Sequence, residues 1–466
     1  MVVFLIGDAR MQAHRCEFDQ HIEIPERLAR IFARLQDTGL EEQCTALPTV
    51  AATKQDVELV HTKEYVEDVL STANMTPDEH EEFSSRYEDV YVNGATANCA
   101  MLAVGSSLSL AQHVLRNGPG SAGLALIRPP GHHAFPAAAC GFCLFNNVAI
   151  AAKKARKDYG VKRVLIVDWD VHAGQGTQEC IQDDPDIRLV TIHRYENGRF
   201  WPNLAQCGVP SPPPFVNTTN VPLNAVGSGD TDYLAIMRLV VLPLIHDFQP
   251  ELILVSSGFD AAIGDPEGEM RVTPAGFAHF ARILKRTNIP LVLLLEGGYL
   301  LESVESSAEW VVRALLDQAL PALQIERHSL LSPALSASVF AVIREHSTRF
   351  PTFGVLFQLL EQVAKTRHSR FDAHALDAVG EFRGERTRAS PYPTRDQYTP
   401  VLAKIKDEHR QELAAILAQY PTWIQPIKVC DSANRKLNPH FRKLSLRTAM
   451  PILTWTEHRR MGKLFN

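Results

Sequence analysis

Asp168, Asp170 and His172 stand two residues apart, the spacing that turns alternate side chains of an extended segment to one face. Two carboxylates on one face are costly unless a cation compensates them. Taken alone, Asp-x-Asp-x-His equally fits a loop start whose acids cap the next helix. Asp260 changes the balance, because it follows another apolar run and adds a third ligand. An Asp/His/Asp set suits a catalytic zinc with open coordination positions. Such an ion polarises a carbonyl and acidifies water, which leaves a need for a base and an oxyanion donor. His132 and His133, after the Pro129-Pro130-Gly131 turn, offer the base. Tyr299, beside Gly297-Gly298 where backbone can approach a ligand closely, can donate its phenol proton. Away from such company, a His pair reads as a hydrogen-bonded loop and a single Tyr as core.

The elements that must position these residues are short and apolar. Val2–Ile6, Leu124–Ile127, Val164–Val167, Leu189–Ile192, Leu252–Val255 and Leu291–Leu295 read as buried strands. Helical patterns near 94–116, 143–158, 231–246, 274–286 and 303–317 lie between them, so the alternation predicts an α/β fold with a mainly parallel sheet. In such sheets reactive groups collect at the carboxyl ends of strands. Arg128–His133, Asp168–His172, His193–Tyr195, Ser257–Asp260 and Glu296–Tyr299 each follow one of these runs, which predicts one polar pocket.

With 45% hydrophobic and 21% charged residues among 466, the chain has globular composition, which excludes collagen-like, mucin-like and mostly disordered classes. Eight cysteines contain one CxxC, Cys140 and Cys143, and no second pair at zinc-finger spacing, so a structural zinc knuckle is not expected. The first residues read as a strand rather than a signal peptide. No run of about 18 apolar residues suggests a membrane span. Free thiols in the cytoplasm or nucleus are the expectation.

The segments RPPGHHA, GFCLFNNVAIAA, VLIVDWDVHAGQGTQ, HRYENGRFWP, SSGFDAAIGDPEG and LEGGYLLES resemble the zinc-dependent histone deacetylases of class II, in the IIb-like manner. The resemblance runs from about Val2 to Leu316. It implies an arginase/deacetylase fold with an eight-stranded, mainly parallel sheet, and hydrolysis of an acetyl amide on a lysine-like side chain. By matching position, Asp170, His172 and Asp260 would bind zinc. His133 would be the general base, His132 its electrostatic partner oriented by Asp168, and Tyr299 the donor to the acetyl carbonyl. The resemblance also implies a structural potassium ion at Asp168, Thr191 and Ile192, with backbone oxygens of Asp170 and His172.

Phe142 and Trp201, with Gly141, match the walls of the family's substrate channel, which sandwich the aliphatic stem; otherwise they read as core aromatics. Glu267 stands where most class II members carry an apolar residue and resembles the gatekeeper of the polyamine-deacetylase branch, where a carboxylate would attract a second ammonium. Its bland alternative is a solvated loop acid. Against the polyamine reading, Phe18–Arg27 lacks the turn that narrows the channel in that branch. Acetylated protein is therefore the first expected substrate and an acetylpolyamine the second, with an inactive scaffold disfavoured because every position for metal, base and oxyanion is filled. Ala173 replaces a common second His, and Gln175 supplies a neutral partner to His133, which should leave that imidazole less basic than an Asp would.

The net charge of −6 conceals an asymmetry: residues 326–466 carry +9 and the remainder −15. We therefore divide the chain into a catalytic domain, 1–325, and a basic, mostly helical extension, 326–466, with helical patterns at 336–346, 354–366 and 400–418. Arg386–Pro393 reads as a linker. The nine basic residues between 428 and 463 form either a solvated face or a surface for an acidic partner such as chromatin.

Overall fold

The computed structural model describes residues 2–209, 214–323, 333–366 and 400–424. Eight strands form one sheet: β1 (Val3–Gly7), β2 (Thr45–Leu47), β3 (Ala122–Leu126), β4 (Val164–Asp168), β5 (Ile187–Arg194), β6 (Thr218–Leu223), β7 (Leu252–Ser257) and β8 (Leu291–Leu295). Their order is β2-β1-β3-β8-β7-β4-β5-β6, and every pairing is parallel. Strands β3, β4, β7 and β8 are buried throughout and made almost wholly of aliphatic residues, the composition expected where both faces of a parallel sheet are covered.

Two groups of helices flank it. Helices Thr96–Asn117 and Asn147–Tyr159 pack together, and so do Glu26–Asp37, Pro274–Lys285 and Leu301–Leu315. The helix starts follow local chemistry. Asn146 accepts the Ala149 N–H, and Thr273 accepts the Gly276 N–H ahead of Pro274, which supplies donors that the first turn otherwise leaves unpaired.

All six expected strands form. The two that the sequence reading passed over, β2 and β6, are the outermost. β2 has three residues, two of them exposed, and β6, Thr-Thr-Asn-Val-Pro-Leu, carries a proline that an edge strand tolerates because one row of its N–H groups needs no partner.

Beyond residue 325 the described chain is helical at Pro333–His346, Pro351–Thr366 and Pro400–Trp423. These helices join the main core: Leu335, Val339, Ile343, Phe353 and Tyr420 are buried in the same cluster as the sheet. Helix Pro333–His346 packs on β6, which explains why that polar edge strand is buried. The expected linker Arg386–Pro393 and the basic residues from 428 onward lie outside the described residues.

Candidate metal centre

The five strand ends carrying the reactive residues are contiguous in the sheet, as β3-β8-β7-β4-β5, so residues spread over 170 positions of sequence meet in one crevice. The register pairs Asp168 with Ser256 on one side and Thr191 on the other. Beyond β4 the chain keeps its side chains converging: Asp168 accepts the Asp170 N–H at 3.1 Å and Asp170 accepts the His172 N–H at 2.9 Å.

Asp170, His172 and Asp260 come together as the sequence reading expected, with donor atoms within 4.8 Å of one another and all three side chains buried. His172 Nδ1 lies 3.2 Å from Asp170 Oδ1 and 3.2 Å from Asp260 Oδ2. Ligands about 2.0–2.1 Å from a tetrahedral ion stand roughly 3.3 Å apart, so the spacing fits a zinc-sized cation. The electrostatics ask for one. Burial, then the neighbouring Asp170 charge, pushes the Asp260 carboxyl up to about 8. His172 is raised to about 10, because the carboxylates of Asp170 and Asp260 outweigh the burial that opposes its charge. Backbone presses close around the pair: a Cβ on Gly297 would stand 2.2 Å from Asp260 Oδ2 and 2.7 Å from Asp170 Oδ2, so only glycine leaves room for both carboxylates. Gly297 also donates its N–H to Asp170 Oδ2 at 2.9 Å.

The two histidines beside this centre differ in their partners. His132 Nδ1 is 3.0 Å from Asp168 Oδ2 and its Nε2 is 3.6 Å from Asp170 Oδ1. Burial works against its charge, but the Asp170 and Asp168 carboxylates prevail and raise it well above the usual histidine range. His133 Nδ1 is 2.7 Å from the neutral Gln175 Oε1. Burial, then the charges on His132 and His172, holds it well below that range. The surroundings thus push the two imidazoles in opposite directions, His132 toward and His133 away from the charged form, with their rings 3.8 Å apart.

Trp201 stands edge-on to His133 at 4.5 Å between ring centroids, and Phe142 edge-on to Tyr299 at 5.8 Å. Cys140, Phe142 and Trp201 form a small apolar cluster, with Ile22, Phe135 and Tyr299 packed on it. Gly141 and Phe142 both have positive φ, +50° and +67°, in a two-residue turn closed by Cys140 N–H to Cys143 at 3.2 Å and Cys143 N–H to Cys140 at 2.9 Å. The CxxC is therefore a hairpin that aims Phe142, and both thiols are free. A Cβ on Gly141 would meet Trp201 at 2.7 Å and His133 at 2.8 Å. Glu267 is only 4% exposed, and burial pushes its carboxyl up to about 8, so it is not a solvated loop acid. Thr191 and Ile192 are buried beside Asp168 on β5, with Thr191 Oγ1 3.1 Å from His193 Nδ1.

The chain matches the histone deacetylase domain family over residues 21–315. The chain belongs to this family. Its curated relatives include the mouse polyamine deacetylase HDAC10, 38% identical over 459 residues, covering 97% of this chain and 61% of that protein. The Danio rerio polyamine deacetylase HDAC10 is 41% identical over 380 residues, 79% of this chain and 55% of that protein. The fission yeast histone deacetylase clr3 is 38% identical over 329 residues, 67% and 48% of the two chains. The chain thus spans about half to three-fifths of these relatives' length. Among solved structures, the HD domain of HDA15 superposes with a TM-score of 0.69 at 34% identity, covering 78% of this chain and 99% of that one.

Several residues of this deacetylase-family site were not singled out from sequence. Glu23, with no exposed surface, receives Arg27 Nη1 at 2.7 Å and Arg128 Nε and Nη2 at 2.6 Å each, and the Tyr91 hydroxyl at 2.6 Å. Arg27 passes this support on by donating to the backbone oxygens of Gly298 and Glu296, each at 2.5 Å. Asp265 accepts the N–H groups of Tyr299 at 2.6 Å, Leu300 at 3.2 Å and Glu267 at 3.0 Å. Glu296 accepts the N–H of Gly131 at 2.7 Å and His132 at 3.2 Å. The legible signal was their position: each lies within a few residues of a motif or of a strand end.

Proposed function

We propose that this chain hydrolyses the acetyl amide of N6-acetyl-lysine side chains to lysine and acetate, with one zinc ion held by Asp170, His172 and Asp260. The observation that carries the proposal is that buried Asp/His/Asp cluster, with His133 against the neutral Gln175 and His132 against Asp168 beside it. When bound, the ion would supply polarisation of the acetyl carbonyl and acidification of water. His133, kept uncharged, accepts a proton from the attacking water; His132, tied to Asp168, keeps its positive charge next to the developing anion. A protonated imidazole of this pair then delivers a proton to the leaving amine. Tyr299 donates its phenol proton toward the carbonyl oxygen. Phe142 and Trp201 hold the aliphatic stem between their rings, with Gly141 letting the walls close. A potassium ion at Asp168, Thr191 and Ile192 is part of the same proposal, supported by the register that sets Thr191 directly beside Asp168. Residence in the cytoplasm or nucleus is proposed as well, in keeping with the free thiols of the described cysteines, and so is an acidic or chromatin partner for the basic residues beyond 428. Among the described residues, no helix is long and apolar enough to cross a membrane.

A second reading, acetylpolyamine deacetylation, is favoured by one observation. Glu267 is buried with Oε1 accepting no hydrogen bond, and burial raises its carboxyl to about 8, with the charge on His172 opposing the rise and those on Asp265 and Asp89 adding to it. An ammonium one stem-length beyond the acetyl group would compensate it once ionised. The names of the mouse and fish relatives point the same way. Against it, Phe18–Arg27 has no narrowing turn; His21 and Ile22 simply pack against Phe142.

The test is purified protein, zinc content by elemental analysis, and parallel assays of an acetyl-lysine peptide and N8-acetylspermidine. One zinc per chain and turnover of the peptide support the first reading. Faster turnover of N8-acetylspermidine that falls in Glu267→Leu supports the second. No bound metal and no turnover of either would refute both.

A further inference from the structure

Helix Pro400–Trp423 comes from the extension, yet it lies across the two loops that carry Tyr299 and Glu267. Its anchor is Tyr420, 2% exposed, which stacks edge-on against Trp310 at 5.1 Å and receives the Ala275 N–H on its hydroxyl at 2.9 Å. Leu413 is buried as well. From there three positions within one turn reach the loops. His409 packs on Gly264, whose φ of +84° starts the Gly264–Arg271 loop, and an added Cβ there would lie 2.9 Å from His409 Cβ. Glu412 pairs with Arg271 at the far end of the same loop. Arg410 Nε donates to Glu302 at 3.1 Å, three residues after Tyr299. Arg410 also closes a cavity of about 190 Å³ between the loops, beside Ile22, Pro266, Tyr299 and Leu300.

We propose that helix Pro400–Trp423 is a positioning element of the active site, bracing the Glu267 loop against the Tyr299 loop and walling the cavity between them. The inference rests on the proposed deacetylase function for its catalytic readout only. The two loops already share Asp265, which holds the Tyr299 and Leu300 amides from the Glu267 side. The helix closes this link from outside, so the extension and the catalytic domain act as one unit. Exposed ion pairs contribute little on their own, so the brace is expected to act mainly through its buried anchor, with the ion pairs setting the register.

The experiment uses the full chain with Leu413→Asp, which places a charge in the buried seam, and Arg410→Glu with and without Glu302→Arg. Hydrogen exchange of peptides spanning 264–271 and 299–302 is read together with Trp310 fluorescence and steady-state kinetics. Leu413→Asp is expected to speed exchange in both loops at least tenfold, to change Trp310 emission, and to lower kcat about 5–20-fold with the zinc content unchanged. Arg410→Glu should produce a smaller change of the same kind, two- to fivefold in kcat, that Glu302→Arg restores. Unchanged exchange in both loops when Trp310 reports release of the helix would overturn the proposal. If Leu413→Asp fails to fold, a lack of any change in Arg410→Glu overturns it equally. Wild-type protein inactive on both substrates refutes the proposed function alone, since the exchange data still decide the brace.

Discussion

Replacing Glu23 by Gln keeps the shape of the side chain and removes the charge on which two buried arginines depend. Glu23, Arg27 and Arg128 all have no exposed surface, and four hydrogen bonds of 2.6–2.7 Å converge on the carboxylate. The amide of Gln turns donors toward guanidinium donors and leaves both positive charges uncompensated. Breaking a buried ion pair by removing one partner costs about 3–5 kcal/mol, and for a chain of 466 residues that corresponds to a fall of roughly 3–5 °C in melting temperature. The pH dependence follows from the same charges. Burial pushes the Glu23 carboxyl up, but the charge and hydrogen bonds of Arg128, and then Arg27, hold it well below the usual carboxylate range. A depressed carboxyl contributes stability that is fully present above its unfolded pKa, near 4.5, and is lost as pH falls toward its folded value. Urea unfolding of wild type and Glu23→Gln between pH 3 and 8 is the assay. Wild type should lose stability below pH 4.5 more steeply than the variant, and the two curves should converge at the acid end. A loss below about 1 kcal/mol at pH 7, or identical acid limbs, would refute the reasoning.

Tyr299→Phe should lower kcat about 10²–10³-fold with little change in KM, as removal of a single oxyanion donor does, measured on whichever acetylated substrate is turned over. Asp260→Asn should abolish stoichiometric zinc by elemental analysis while circular dichroism stays native, because one negative ligand of three is lost. Gln175→Asp sets a carboxylate against His133, where Oε1 now lies 2.7 Å away; an adjacent opposite charge moves a pKa by about 1–3 units, so the acid limb of kcat/KM should shift to higher pH. Gly141→Ala, with φ +50° and contacts under 3 Å to Trp201 and His133, should cut kcat/KM at least tenfold, and a tryptophan emission spectrum like that of wild type would count against a displaced wall.

What the sequence made legible and what it did not divide along a physical line. Aliphatic runs such as Leu291–Leu295 announce central strands because both faces are buried, whereas Thr218–Leu223, a polar edge strand covered by a distant helix, has no such signature. Asp170 and His172 were legible because their alternation with Asp168 directly follows an aliphatic run; the strand itself ends at Asp168, and the bend beyond it keeps these side chains converging. The Glu23–Arg27–Arg128 network was not, although Arg128 stands in one of the strand-end segments, since a charged residue is exposed by default and the pairing that buries Arg128 spans 105 positions of the chain. Glu296 was legible only as part of a strand end at the pocket, and Asp265 not at all, because their partners are backbone N–H groups, which carry no residue identity.

These overlooked acids share a role that the legible ones lack. Asp265 and Glu296 accept backbone N–H groups from the Tyr299 and His132 loops, and Glu23 reaches the Tyr299 loop through Arg27. Each spends hydrogen bonds on the scaffold, so the chemistry is held in place before a substrate arrives, although Glu296 keeps one oxygen, Oε1, that accepts from no described group. Glu267 breaks this pattern. It sits on the same loop as Asp265 and is as deeply buried, and its Oε1, like that of Glu296, accepts from no described group, but its carboxyl holds none of the loop amides that Asp265 and Glu296 hold. Burial raises its carboxyl to about 8, which spares it the cost of a buried charge near neutral pH, and a cationic ligand beside it would draw it into the ionised form. Under the proposed polyamine reading, the rate ratio of N8-acetylspermidine to acetyl-lysine peptide should respond to Glu267→Gln far more than to substitution of an acid that holds scaffold amides.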